Sequence, residues 1–121
     1  MKTNDSLSSQ SMDLAVKTLT LVKQLQEQHE FVVSRQVGKS GTSIGANIRE
    51  AQYAHSRADF IAKMQIALKE SNETGYWIEL LHRCGYLEEN AFQELDALCS
   101  SIRIMLIRSL QTAKKNVELE E

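Results

Sequence analysis

No proline occurs anywhere in this chain of 121 residues, and apolar residues return every three or four positions along most of it. A β fold of this length needs proline in turns and at strand edges. A helix interior excludes it, because proline lacks the N–H donor and clashes with the preceding turn. The pattern therefore predicts an all-α chain. Four amphipathic segments can be read, at about 9–29, 31–53, 56–84 and 90–116, with short connections. Helices joined by short loops pack as antiparallel neighbours, so the expectation is an up-down-up-down four-helix bundle.

The first segment offers Met12, Ala15, Leu19, Val22, Leu14, Leu21 and Leu25 as core. The second offers Val33, Val37, Ile44, Ile48 and Ala51, beside a line of small residues: Ser34, Gly38, Gly41 and Gly45. A glycine weakens a helix interior by about 1 kcal/mol relative to alanine. Three in one helix imply that another backbone approaches closely there. In the third segment Ser56 is placed to cap, with Asp59 three residues on. Phe60, Met64, Ala67, Ser71, Thr74, Ile78 and Leu81 then carry the core, and Gly85 follows the C-terminus. Asn90 is placed to cap the fourth segment, whose core is Leu95, Leu98, Cys99, Ile102, Met105, Leu106, Leu110 and Ala113. Ile104 and Ile107 fall off that face, as aliphatics do when a second subunit covers them, and are the candidate oligomer interface. Of the adjacent aromatics Tyr76 and Trp77, one is expected in the core and the other at a subunit contact. The bundle is expected over 9–117, between a polar, disordered stretch at 1–8 and an acidic tail at 118–121.

The formal charge of −2 makes the chain as a whole no magnet for nucleic acid. The charge is unevenly spread, however. Residues 33–69 hold six basic and two acidic side chains, a net of +4, whereas 88–121 hold four basic and seven acidic, a net of −3. Arg35, Lys39, Arg49 and Arg57 are the candidate nucleic-acid-binding group, the first three on one broad side of the second helix. Ion pairing of that face is the competing structural reading. No apolar run is long enough to span a bilayer, and the first residues lack the apolar stretch of a secretory signal. Cytoplasmic residence, with Cys84 and Cys99 as two buried free thiols, is the expectation.

Catalytic signatures are sparse. Glu79 and His82 form one Glu-x-x-His pair, but a di-metal bundle needs two such pairs and two further glutamates. No cofactor and no catalytic or metal-ligating set is expected. Glu50, Glu70, Glu73 and Glu79 are read as partners of Arg35, Lys39, Arg49 and Lys69 rather than as hydrolytic acid pairs. His29 and His55 fall near helix ends.

The stretch Arg35-Gln36-Val37-Gly38-Lys39-Ser40-Gly41-Thr42-Ser43-Ile44-Gly45-Ala46-Asn47-Ile48-Arg49-Glu50-Ala51 resembles the four-helix-bundle proteins encoded in intervening sequences of bacterial 23S ribosomal RNA genes. Ser43 to Glu50 match the signature Ser-Ile-(Pro or Gly)-Ala-Asn-Ile-x-Glu. A second block, Ala58-Asp59-Phe60-Ile61, Ile66-Ala67-Leu68-Lys69-Glu70, Glu73-Thr74 and Tyr76-Trp77, is similar to the glycine-type branch of that family. The resemblance is specific over 35–87. It implies a compact bundle without enzymatic activity, self-associating, with a five-subunit ring favoured. A related accessory bundle of retroelement reverse transcriptases binds nucleic acid, so an RNA or a nucleic-acid-handling protein is the implied partner. The motif residues Ser43, Ile44, Ala46, Asn47, Ile48, Glu50, Glu70, Glu73 and Trp77 are expected to be structural. Ser43, Asn47 and Glu50 share a helix face and are expected to form a buried hydrogen-bond network.

Overall fold

A computed structural model describes the backbone over 2–120 and the side chains over 7–116. Four helices follow in order: α1 (Lys2–Glu27), α2 (Val32–Gln52), α3 (Arg57–Arg83) and α4 (Glu89–Glu120). No strand occurs among the described residues. Each helix packs on its chain neighbour, and α1 closes the square against α4, its thinnest seam. This is the antiparallel four-helix bundle that the apolar spacing predicts.

The turns are set by particular residues. At the end of α1, His29 takes a left-handed φ of 62°. Its N–H donates to Gln26 C=O and the Glu30 N–H donates to Leu25 C=O, which is a Schellman stop. The Glu30 carboxylate then turns onto the next helix and accepts from the N–H groups of Val33 and Ser34, both at 2.9 Å. At the start of α3, Ser56 Oγ accepts from the Asp59 N–H at 3.0 Å, as its spacing indicates. Gly85, with φ of 84°, ends α3 by the same pair of bonds as His29: its N–H reaches His82 C=O and that of Tyr86 reaches Leu81 C=O. Asn90 does not cap α4. The helix already begins at Glu89, and the Phe92 N–H donates to Glu88 C=O.

The core of α3 follows the one read from the sequence: Met64, Ala67, Ser71, Thr74, Ile78 and Leu81 are all buried, while Phe60 is only half-buried at its edge. In α1 the outcome differs. The inward positions are Leu7, Ser11, Leu14, Thr18, Leu21 and Leu25, stepping by four and three. Met12 and Leu19, expected in the core, are 51% and 58% exposed. The helix also starts at Lys2, within the stretch expected to be disordered, and Leu7 joins the core cluster. The side chains of the acidic tail lie outside the described residues.

Glycine explains this rotation of α1. A Cβ built on Gly41 would stand 2.6 Å from Thr18 Oγ1 and 2.7 Å from Thr18 Cγ2. One on Gly45 would stand 3.3 Å from Ser11 Oγ, and one on Gly38 3.1 Å from Val22 Cγ2. The close approach inferred from the glycine line is therefore that of α1, and α2 remains one unbroken helix. Only small side chains fit opposite, so Ser11 and Thr18 take the inward positions. Thr18 satisfies its hydroxyl on the Leu14 carbonyl at 2.7 Å, which removes the cost of burying it.

These distances rank three substitutions. Gly41→Ala forces a methyl into Thr18 and should destabilise by about 1–3 kcal/mol despite the better helix propensity. Gly75→Ala meets only Arg103 Nη1 at 3.7 Å and Cys99 Sγ at 4.0 Å, and should stabilise by up to about 1 kcal/mol. Gly38→Ala, against a terminal methyl, should fall between them. Urea unfolding of the three variants measures the order.

Candidate functional site

Position on the helices sorts the candidate residues. Arg35, Lys39, Thr42, Ala46 and Arg49 recur every three or four residues, so they form one ridge along α2. They point away from the side that buries Val37, Ile44, Ile48 and Ala51. From Arg35 to Arg49 the ridge runs about 21 Å, at 1.5 Å per residue. Arg35, Lys39 and Arg49 are exposed, and no acidic side chain among the described residues pairs with them. The ion pairing expected for this face is therefore not what the structure contains. Arg57 is set apart from the ridge, as the first residue of α3.

The acids find other partners. Glu50 lies 3.6 Å from Lys63 of α3, an interhelical pair with a different cation from those expected. Glu79 pairs with Arg83 at 2.6 Å within its own helix. Glu73 accepts from Trp77 Nε1 at 3.1 Å, and Glu70 is half-buried. The His82 ring stacks on Phe92 at 3.9 Å and its Nε2 meets Glu89 at 3.0 Å. Glu79 and His82 thus turn to different partners. No three His, Cys, Asp or Glu side chains among the described residues come together as a metal would need.

The motif from Ser43 to Glu50 divides along the helix. Ile44 and Ile48 are fully in the core. Asn47 is half-buried and its Nδ2 donates to Ser43 C=O at 2.9 Å and Ser43 Oγ at 3.0 Å. Glu50 is exposed and does not join them, so the expected buried network is a half-buried bond within α2. The hydroxyl contact that does cross the core involves residues outside the motif. Ser40 and Thr74 meet at 2.8 Å between α2 and α3, and Cys99 Sγ lies 3.3 Å from Ser71 C=O. Burial pushes the Cys99 thiol up to about 11, which leaves it protonated and unreactive near neutral pH. Cys84, expected to be buried, is exposed.

Trp77 packs against the core cluster and Tyr76 is exposed, its ring 4.9 Å from Trp77 in an edge-on contact. Ile104 and Ile107 stand on the outside of α4, 47% and 39% exposed. Reasoning from the sequence missed a larger apolar feature. Met12, Val16 and Leu19 follow one another at i, i+4 and i+7 on the outside of α1, each more than half exposed. Beside them a groove of about 400 Å³ separates α1 from α2, walled by Ser11, Met12, Ala15, Gly45, Ala46 and Arg49. On the other flank of α1 the thin seam to α4 is bridged by a Lys17–Glu94 ion pair, whose hydrogen bond holds the lysine pKa above its ordinary value. The one signal for this outer stripe lay in the glycine line of α2, which admits only small side chains opposite and so turns Ser11 and Thr18 inward.

With this geometry described, the comparisons place the chain in a class of small helical bundle proteins. The model of the 23S rRNA-intervening sequence protein family matches residues 5–108, and the chain belongs to that family. It is also similar to a crystal structure of a protein with unknown function from the S23 ribosomal protein family of Bacteroides thetaiotaomicron VPI-5482. The two share 46% identity and a TM-score of 0.87, over 90% of this chain and 98% of the other. A comparison with curated proteins finds no match.

Proposed function

We propose that the protein is a non-catalytic helical scaffold that assembles with further copies of itself. The observation that carries this reading is the two-sided apolar character of α1. Leu7, Leu14, Leu21 and Leu25 face the bundle, while Met12, Val16 and Leu19 face out. A helix apolar on one side only would suit a solitary bundle. A contiguous outer stripe flanked by a groove marks a protein interface. The resemblance to ring-forming members of the family points to another copy as the occupant, with five subunits favoured. Ile104 and Ile107 offer a second apolar strip on α4. Glu50, Glu73, Glu79, His55 and His82 are each engaged with a separate partner, which supports a role without catalysis.

The test is the mass in solution, by sedimentation at micromolar concentration. The protein should run as a closed oligomer. Met12→Glu with Leu19→Glu should run as a folded monomer, since both side chains are already exposed in the single chain and charges there cost the bundle little. A wild-type monomer would overturn the reading.

A second reading is favoured by the ridge on α2. Lys17, Lys63 and Arg83 each have an acidic partner, whereas Arg35, Lys39 and Arg49 have none among the described residues. Three unpaired cations in a line suit a polyanionic backbone, and we propose RNA as the ligand. Binding to a single strand should weaken with salt, and the log–log slope should shrink by about 0.7 for each ridge cation replaced by alanine. Arg35→Ala with Arg49→Ala, measured by fluorescence anisotropy, checks this. Absence of binding at low salt would remove it.

A further inference from the structure

The α2 ridge does not end at Arg49. One turn further on, at the C-cap of the helix, stands Tyr53, 84% exposed. It is the most exposed of the large apolar and aromatic side chains described. Its backbone is held, with the N–H donating to Glu50 C=O at 3.1 Å. Among the described residues, no hydrogen bond or ring contact engages its ring. An aromatic ring left in water gives up the burial that usually recompenses its size. Tyr53 lies about 6 Å along the helix axis from Arg49, one helical turn away. The small residues Thr42 and Ala46 keep the ridge low between Lys39 and Arg49, so an extended strand can follow it without obstruction.

We infer that this ridge binds single-stranded nucleic acid, with the backbone phosphates on Arg35, Lys39 and Arg49 and an unpaired base stacked on the ring of Tyr53. This inference rests on the second reading above and adds the form of the ligand. Cations alone attract any polyanion, duplex included. An exposed ring beside them selects for strands whose base faces are free, because a duplex keeps its faces stacked inside. Stacking on an aromatic tolerates any base, so the site reads strandedness rather than sequence. Ribose and deoxyribose strands share this chemistry, and separate probes tell them apart.

The experiment is fluorescence anisotropy with labelled oligouridylate, oligothymidylate and a mixed-sequence RNA duplex, each about 20 units long, at about 50 mM and about 200 mM NaCl. The proteins are the full chain, Tyr53→Ala, Tyr53→Phe, and Lys114→Ala with Lys115→Ala as an exposed charge control on α4. The wild type should prefer the single strands to the duplex. Tyr53→Ala should weaken single-strand binding at least about fivefold, leave duplex binding unchanged and keep the same salt slope. Tyr53→Phe should bind like the wild type, and the lysine control should change little. Equal binding of strand and duplex, with no effect of Tyr53→Ala, overturns the stacking inference and leaves the polyanion reading standing. No binding of any probe at low salt overturns both. A loss in the lysine control equal to that of Arg35→Ala with Arg49→Ala would assign the binding to charge at large rather than to the ridge.

Discussion

Thr18 lies over Gly41 so closely that one added carbon on the glycine would sit 2.6 Å from its hydroxyl. That contact, repeated more loosely between Ser11 and Gly45 and between Val22 and Gly38, sets how far α1 is rotated about its own axis. Small residues must face α2, so the inward stripe of α1 alternates leucine with serine and threonine. Its larger apolar side chains, Met12, Val16 and Leu19, are turned outward as a consequence. The interior packing of α1 and its apolar outer stripe therefore have a common cause. Destabilising terms are accepted along the way: three glycines within a helix and two buried hydroxyls. Backbone proximity and the Thr18 to Leu14 bond offset them.

Much of the fold was legible because it depends on local periodicity. α3 shows this best, since every third or fourth residue from Met64 to Leu81 returns to one face and Ser56 and Gly85 mark its ends. Where long-range contact overrides local pattern, legibility fails. Met12 and Leu19 read as core because they are large and apolar, and nothing local marks the polar Ser11 and Thr18 as inward. Only the partner helix sets those roles. Glu30 was equally hidden: a glutamate before a phenylalanine carries no capping pattern, yet its carboxylate closes the start of α2. Leu7 stands alone among polar residues, so no period announced that α1 begins so early.

The candidate site divides the same way. The ridge of Arg35, Lys39 and Arg49 could be placed on one side of a helix from spacing alone. That these cations lack acidic partners among the described residues could not be, because it depends on Glu50 reaching Lys63 and Glu79 reaching Arg83. The family motif was legible as a pattern, and the structure gives it a mainly packing role: Ile44 and Ile48 in the core, Gly45 against Ser11, Asn47 bonded back to Ser43. The acid at its end is occupied by α3.

The account turns on whether the outer stripe of α1 is covered in solution, and the chain carries its own reporter. Met12 is 51% exposed and Met64 is 3% exposed within a single chain. Oxidative footprinting of both methionines across a dilution series, read by mass spectrometry, compares them in one sample. If copies cover α1, Met12 should be nearly as protected as Met64 at high concentration and become reactive as dilution separates the subunits. If Met12 oxidises freely at every concentration while Met64 stays protected, the stripe is bare and the assembly it was taken to support does not exist.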